Sequence, residues 1–355
     1  MKYNKLGNTN IKVSSLCLGT MTFGEQTSKI KSFELLNYAF EKGINFLDTA
    51  EIYPIYPKKE TAGNTEKILG NWMKEKKNRR KIILASKVAS NHPLGQGATK
   101  LAWIRKGGQN LRFNKKNISQ AIDGSLKRLQ TDYIDLYQLH WPERSVGMFG
   151  QLDFKYNPSD NWTPFEEILE NLNHFVKSGK IRFIGLSNET PWGLMSFLKI
   201  AKEKNLPTVV SIQNCYNLLN RVFDIANSEV SIREKCGLLA YSPLAGGRLS
   251  GKYLSGKRPK NCRYTMWPGR FSRHLTERGD KAVKKYVKLS KKFKISPSVL
   301  ANSFVVNKPF VTSSIIGVTK LDHLKENISC MNIKLPNEVL KEIENIHLSD
   351  PNPCV

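Results

Sequence analysis

Gly43-Ile44-Asn45-Phe46-Leu47-Asp48-Thr49-Ala50-Glu51-Ile52-Tyr53 is the stretch on which the reading of this chain turns. Residues 44–47 are nearly all apolar, which predicts a short buried strand, and Gly43 stops the helix before it. The run ends in a carboxylate, Asp48, and a phenol, Tyr53, follows five residues on in the next loop. Alone, an Asp after a strand is more often a cap or loop residue, and a loop tyrosine more often packs. A parallel α/β sheet, however, delivers reactive groups to one rim from its strand C-termini. Two further strands of this chain end the same way.

Upstream, residues 2–14 read as a hairpin turning at Gly7-Asn8-Thr9-Asn10, and 15–19 as a first buried strand. Phe33, Leu36 and Phe40 recur at helical spacing before the strand at 44–47. Downstream, a helix over 65–76 leads to a strand at 81–86. A polar loop over 90–116 precedes a helix at 118–129 that Asn117 and Gln120 would cap. A strand at 133–139 and a second long loop at 142–162 follow. Thr163-Pro164-Phe165-Glu166 then predicts a helix start, with Thr163 as cap and Pro164 first in the helix. Its stripe of Phe165, Ile168, Leu169, Leu172, Phe175 and Val176 runs to Gly179. Strands at 181–186, 209–212, 238–241 and 312–316 alternate with helices beginning at Thr190-Pro191, over 221–235 and over 278–293. The last helices are one capped by Thr319 and Asp322 and one at 337–347.

Eight strands alternating with helices and no Pro/Gly/Ser linker predict an α/β fold, a single (β/α)8 barrel domain over residues 1–355. An N-terminal hairpin and long loops at the C-terminal face complete it. A doubly wound sheet would want Gly-x-Gly-x-x-Gly after an early strand, and none is present.

Composition narrows the function classes. A hydrophobic share of 40% and a charged share of 24% are those of a soluble globular protein. No apolar run is long enough to cross a membrane, and the N-terminus lacks a secretory segment, so a cytoplasmic location is expected. The six cysteines are scattered without metal spacing; reduced thiols and no metal site are expected. The net charge of +26 invites a nucleic-acid reading, which requires concentrated charge interleaved with stacking aromatics. Here Lys281, Lys284, Lys285, Lys288, Lys291 and Lys292 fill one solvated helix face, and no specific nucleic-acid partner is expected. One cluster stands apart: residues 248–263 hold six basic side chains and no acidic one.

The second strand ends at Asp48, the third at Lys87 and the fourth at His140. Singly, Lys87 would be a snorkelling lysine and His140 a core histidine; three consecutive strand ends beside Tyr53 resist that explanation. The set has a coherent chemistry. A phenol with a pKa of about 10 is a weak acid at neutral pH, and an adjacent ammonium would lower it. Asp48 would keep Lys87 charged and oriented, and His140 would complete a donor pair around a carbonyl oxygen. No side chain supplies hydride, so this chemistry implies a nicotinamide.

Phosphate-binding candidates come late. Gly246-x4-Gly251-Lys252 nearly makes a nucleotide-triphosphate loop, but Tyr253 stands where a hydroxyl must ligate Mg²⁺, which excludes it. Gly317-Val318-Thr319, leading from the last strand into a helix, is the usual barrel phosphate seat. With Lys252 and Arg263 nearby it would hold a pyrophosphate and an extra phosphate, favouring NADP over NAD.

These residues resemble the aldo-keto reductase family over essentially the whole chain, and Asp48, Tyr53, Lys87 and His140 match its Asp-Tyr-Lys-His tetrad. Gly19-Thr20-Met21-Thr22-Phe23-Gly24-Glu25-Gln26, Ser125 to Tyr133 and His140-Trp141-Pro142 look like its bacterial Tas-type branch. The resemblance implies an NADP(H)-dependent reduction of small aldehydes or ketones, with Tyr53 as general acid. It places Gly19, Thr20 and Met21 beside the cofactor, Ser187, Asn188 and Gln213 on its carboxamide, and Tyr241 against the nicotinamide ring. Ser242, Pro243, Leu244, Lys252 and Arg263 would run along the pyrophosphate. Gly317, Thr319, His323, Glu326 and Asn327 would hold the adenosine phosphate end, His323 standing where related branches tend to carry Gln. Relatives of this fold also regulate membrane channels, so a cofactor-sensing subunit with little turnover is the second expectation. Trp103, Trp141, Trp162 and Trp267, in or beside the long loops, suggest an apolar or aromatic carbonyl substrate, or a quinone.

Overall fold

The computed structural model describes residues 1–91, 101–106, 110–269 and 271–355, so parts of the loop at 90–116 lie outside the described residues. A two-stranded antiparallel hairpin, β1 (Tyr3–Lys5) and β2 (Lys12–Ser14), precedes eight parallel strands closed into a barrel. These are β3 (Leu16–Gly19), β4 (Phe46–Asp48), β5 (Ile83–Val88), β6 (Ile134–Leu139), β7 (Ile181–Ser187), β8 (Val209–Gln213), β9 (Gly237–Tyr241) and β10 (Val311–Gly317). Each pairs with its neighbour in chain order, and β10 closes on β3. This is the predicted (β/α)8 barrel.

The outer ring comprises α1 (Lys29–Glu41), α2 (Asn64–Lys76), α3 (Lys115–Leu129), α4 (Phe165–Lys177), α5 (Pro191–Glu203), α6 (Asn227–Arg233), α7 (Arg263–Met266), α8 (Glu277–Lys292), α9 (Pro297–Val306), α10 (Leu321–Ser329) and α11 (Asn337–Ser349). Their apolar stripes form one continuous core with the outward faces of the strands: α4 buries Phe165, Ile168, Leu169, Leu172 and Phe175 there. The six lysines of α8 are all exposed, as a solvated face requires. Among the described residues no helix is long and apolar enough to cross a membrane, and all six cysteines are free.

The barrel interior has its own core of Cys17, Phe46, Ala85, Leu136, Val210, Leu239 and Ile315, closed below by Leu6, Ile11 and Val13 of the hairpin. Gly7 lies at φ +58°, and a Cβ there would come within 2.5 Å of the Val210 carbonyl oxygen. A glycine is therefore required for the hairpin to seat against the barrel floor. With one end plugged, only the strand C-termini remain open for chemistry.

Four local expectations are corrected. Helix α3 starts at Lys115, capped by Asn114, whose side chain accepts from the Asn117 backbone N at 3.0 Å; Asn117 is inside the helix. Thr163 does not cap α4. Its backbone N donates to Glu143 at 2.7 Å and its hydroxyl to the same carboxylate at 3.2 Å, so it ties down the 142–162 loop while Pro164 takes the cap position. The 221–235 helix is divided into a short 3-10 turn at Val222–Asp224 and α6, because Asp224 is drawn to the Tyr216 hydroxyl and to Arg221. The N-cap of α10 is Lys320, with no side-chain hydrogen bond from Thr319 or Asp322.

Candidate active site

Strand alternation builds the site. Phe46, Ala85 and Leu136 point into the barrel core, so the residues two further along, Asp48, Lys87 and Gln138, point inward one layer higher. Register aligns them: Asp48 lies opposite Gly19 and Ala85, and Lys87 opposite Gln138. Lys87 is fully buried, and its Nζ donates to Asp48 Oδ2 at 2.7 Å and to the Thr49 carbonyl at 2.8 Å. Its third donor goes to the Tyr53 hydroxyl, with the Nζ 5.0 Å from the Tyr53 ring centre. All three ammonium protons are thereby engaged.

Asp48 is held from its other side as well. Its Oδ1 accepts from Gln213 Nε2 at 2.8 Å and from Gln138 Nε2 at 3.2 Å. Gln213 also donates to Gln138 Oε1 at 3.0 Å. Gln138 is a functional candidate that motif reading passes over; the period of two from Leu136 points to it.

Burial would lower the Lys87 pKa, but Asp48 and Tyr53 more than offset it and hold the ammonium above the usual lysine value. Tyr53 goes the other way from expectation. Burial raises its phenol above the ordinary range, and the opposing pull of Lys87 is the smaller effect. The phenol therefore keeps its proton at neutral pH. His140 stands beside it with ring centres 5.7 Å apart and planes at 79°. The backbone of His140 is fixed by its N donating to Val88 O at 3.0 Å and its O accepting from Asn188 Nδ2 at 2.9 Å. The three strand-end residues and the loop tyrosine named from the sequence thus converge at the open end of the barrel.

An apolar wall flanks them: Ala50, Ile52, Ala89, Trp141, Val146 and Met148, with Met21, Ile55, Leu101 and Ile104 packed against it. Trp162 lies elsewhere, packed between Phe165 and Trp192. Trp103 is half-buried in the described part of its loop, and Trp267 packs against Phe271.

The residues expected around a carboxamide form one hydrogen-bonded group. Ser187 Oγ donates to Gln213 O at 2.9 Å, and Asn188 Nδ2 donates to Ser187 Oγ at 3.1 Å. Tyr241 donates to Asn188 Oδ1 at 2.6 Å. Asn188 and Ser242 both lie near φ +55°, a left-handed conformation that side chains avoid unless the surroundings hold it. Thr20 donates its hydroxyl to Asp48 O at 2.8 Å, next to Gly19 and Met21 at the end of β3.

Two of the expected phosphate residues flank one turn: a Cβ on Gly246 would stand 3.6 Å from an Arg263 guanidinium nitrogen, and one on Gly247 3.1 Å from Lys252 Nζ. Arg263 opens α7 and reaches Met21, with a guanidinium nitrogen 4.0 Å from the Met21 sulfur. Burial lowers its pKa, and it acts on Tyr53 electrostatically. Lys252 also lies beside His323 on α10; burial first, then Lys252 and Lys320, lower the His323 pKa. Gly317 is exposed at the end of β10 with open space where a Cβ would stand, and half-buried Thr319 follows. Glu326 accepts from Ser296, while Asn327 is buried and accepts from Asn302 at 3.0 Å, facing the α9–α10 seam. Pro243 is buried and Leu244 half-buried above β9. Among the described residues no group of three His, Cys, Asp or Glu side chains could hold a metal ion.

A closed parallel barrel that carries Asp, Lys and His at the C-terminal ends of its second, third and fourth strands, beside a loop tyrosine, defines a barrel oxidoreductase. The aldo/keto reductase family model matches residues 15–347, and the chain belongs to that family. It is 43% identical to Protein tas of Escherichia coli over 347 residues, covering 98% of each chain. It is 32% identical to the uncharacterized oxidoreductase YrpG of Bacillus subtilis, covering 98% of this chain and 96% of the other. It is 30% identical to norsolorinic acid reductase B of Aspergillus parasiticus, covering 96% and 83%. Aldo-keto reductases generally use nicotinamide cofactors and act on small carbonyl compounds.

Proposed function

We propose that this chain, acting as one barrel domain over residues 1–355, reduces the carbonyl group of small aldehydes or ketones with NADPH. The observation that carries the reading is the fully buried Lys87, bonded at once to Asp48 and to Tyr53. A buried ammonium is costly to maintain, and its use here is to fix and polarise a phenol at the barrel mouth.

The donor set fits the cofactor. Ser187, Asn188 and Gln213 offer amide and hydroxyl partners for its carboxamide, and Tyr241 a ring face. Gly317 leaves room for a phosphate ahead of α10, with Lys252, Lys320 and His323 around it. That cluster supports NADP(H) over NAD(H), while Arg263 is assigned to the pyrophosphate that both cofactors share. When bound, the nicotinamide supplies hydride to the carbonyl carbon.

The protein's own groups do the rest. Lys87 donates to the Tyr53 oxygen, so the phenol's own proton is left to face the substrate. Tyr53 delivers that proton to the carbonyl oxygen, and the charge on Lys87 stabilises the phenolate formed. His140 orients the oxygen from the side, and Asp48 keeps Lys87 protonated throughout. The apolar wall excludes water from the reacting carbonyl.

The test is NADPH consumption across a panel of aldehydes, ketones and quinones. Turnover of at least one class, lost on Tyr53→Phe, is expected. Tight NADPH binding with no turnover across the panel would instead identify a cofactor-sensing subunit.

A further inference from the structure

Arg263 and Arg273 stand apart from the other arginines. Among the described residues, every other arginine that is not exposed pairs with a carboxylate, as Arg79 does with Asp135 and Arg221 with Asp224 and Glu344. Arg263 and Arg273 are half-buried, lie close enough to repel one another, and among the described residues pair with no carboxylate side chain. Two neighbouring cations removed from water without an anion are a standing cost that a ligand anion relieves.

Arg263 is accounted for by the cofactor reading, and Arg273 is not. Its Nε donates to His274 Nε2 at 3.3 Å, and its guanidinium interacts with the Tyr241 hydroxyl, 5.8 Å from that ring centre. His274 is buried among Arg273, Arg263 and Arg248, and burial and these charges keep it neutral, able to accept and so to aim the guanidinium. Neither acceptor is an anion, and together they leave most of the five N–H donors for a ligand. The guanidinium also lies 5.4 Å from the Phe149 ring centre, and a Cβ on Gly150 would touch the Arg273 stem at 3.4 Å and the Val355 main-chain oxygen at 3.7 Å, with no ion pair formed between those two residues. Arg273 thus sits between Tyr241 at the rim and the 142–162 loop, whereas Lys252, Lys320 and His323 gather at α10.

We propose that Arg273 is a specificity-determining residue that receives the carboxylate of an oxo-acid substrate. This rests on the reductase reading above: the carbonyl lies at Tyr53 and His140, the carbon skeleton against the apolar wall of Ile52, Ile55, Trp141 and Met148, and the carboxylate at Arg273. The substrate class is therefore an aldehyde or ketone with an apolar or aromatic body and an acidic group at its far end.

The probes are 4-formylbenzoate and its neutral counterpart 4-formylbenzamide. In the wild type, kcat/KM for the acid should exceed that for the amide by about tenfold or more. In Arg273→Gln that ratio should fall toward one, while amide turnover and the NADPH Kd stay as in the wild type. Arg273→Lys, which keeps the charge without the fork, should be intermediate and covers the case of a poorly folded glutamine variant. Equal rates for the two probes in the wild type would overturn the proposal. So would an unchanged ratio with weakened NADPH binding in the variants, which would assign Arg273 to a cofactor phosphate. A readout without turnover separates this inference from the reductase reading: binding of 4-methylbenzoate, which has no alcohol to oxidise, to the protein–NADP⁺ complex, followed by Trp fluorescence. Loss of that binding on Arg273→Gln supports the carboxylate site even where neither aldehyde is reduced.

Discussion

Lys87 and Asp48 lie at the C-terminal ends of neighbouring strands and meet at 2.7 Å, with 0% and 4% of their side chains exposed. A pair this deep is not a surface ion pair of marginal worth. Removing one partner leaves the other charge buried and uncompensated, which costs about 3–5 kcal/mol. Asp48→Asn should therefore lower the urea midpoint markedly as well as abolish reduction, since Lys87 would lose the charge that holds its pKa up. A variant that is inactive yet as stable as the wild type would show that the pair contributes to chemistry alone.

Gln138 provides a milder test of the same network. Gln138→Leu keeps the volume and removes one donor to Asp48 Oδ1, leaving Gln213 and Lys87 in place. Hydrogen bonds to charged groups are worth about 1.5–3 kcal/mol, and most of that should appear in unfolding free energy. Turnover should fall by less than in Asp48→Asn, with NADPH affinity unchanged. An activity loss equal to that of Asp48→Asn would mean that Gln138 touches substrate or cofactor directly.

Asp48, Lys87 and His140 were legible in the sequence because each ends an apolar run, and a parallel barrel brings strand ends to one rim. Gln138 was hidden by the same logic: it sits inside the strand, and only the inward period of two exposes its role. Thr163 misled because a cap signature is local, whereas Glu143 competes for its hydroxyl from the loop before it. The fate of the Tyr53 phenol depended on a balance of burial against a nearby charge, and sequence carries no measure of burial depth. Arg273 was invisible for another reason. What distinguishes it is the absence of a carboxylate neighbour, which only three-dimensional placement shows.

Cofactor affinity and cofactor selectivity should fall to two different residues. Lys252→Ala should weaken NADPH by about tenfold and leave NADH nearly unchanged, since one charge-assisted contact at the α10 end is lost. Arg263→Ala should weaken both cofactors alike, because that residue lies near Met21 and Tyr53. Titrations monitored by Trp fluorescence read both constants. A selective loss of NADPH on Arg263→Ala, with none on Lys252→Ala, would exchange the two assignments.

The pH profile follows from the direction of the Tyr53 shift. Burial raises the pKa, so the proton is retained to higher pH than in a free tyrosine. At saturating substrate, kcat for reduction should be level from about pH 6 to 9 and decline only beyond the ordinary tyrosine value of about 10. The reverse reaction, which needs the phenolate, should rise over that same alkaline range. A reduction rate already halved near neutrality would show that Lys87 outweighs burial.

Tyr53→Phe is the sharpest test of the site. The ring and its edge-on contact with His140 remain, and the cofactor contacts proposed above lie on other strands, so NADPH affinity should barely change. What is lost is the one acidic proton positioned at the carbonyl oxygen. Positioned acid catalysis contributes about 10²–10⁴-fold, and more where donors act as a unit. Lys87 then loses one of its three acceptors but keeps Asp48 and the Thr49 carbonyl, so the fold should survive. Lys87→Met should match Tyr53→Phe in rate while also losing stability, because it strands Asp48 without its cation. His140→Ala should chiefly raise KM through poorer orientation of the carbonyl. Wild-type reduction by Tyr53→Phe would remove the phenol from the mechanism and leave His140 as the proton source to examine.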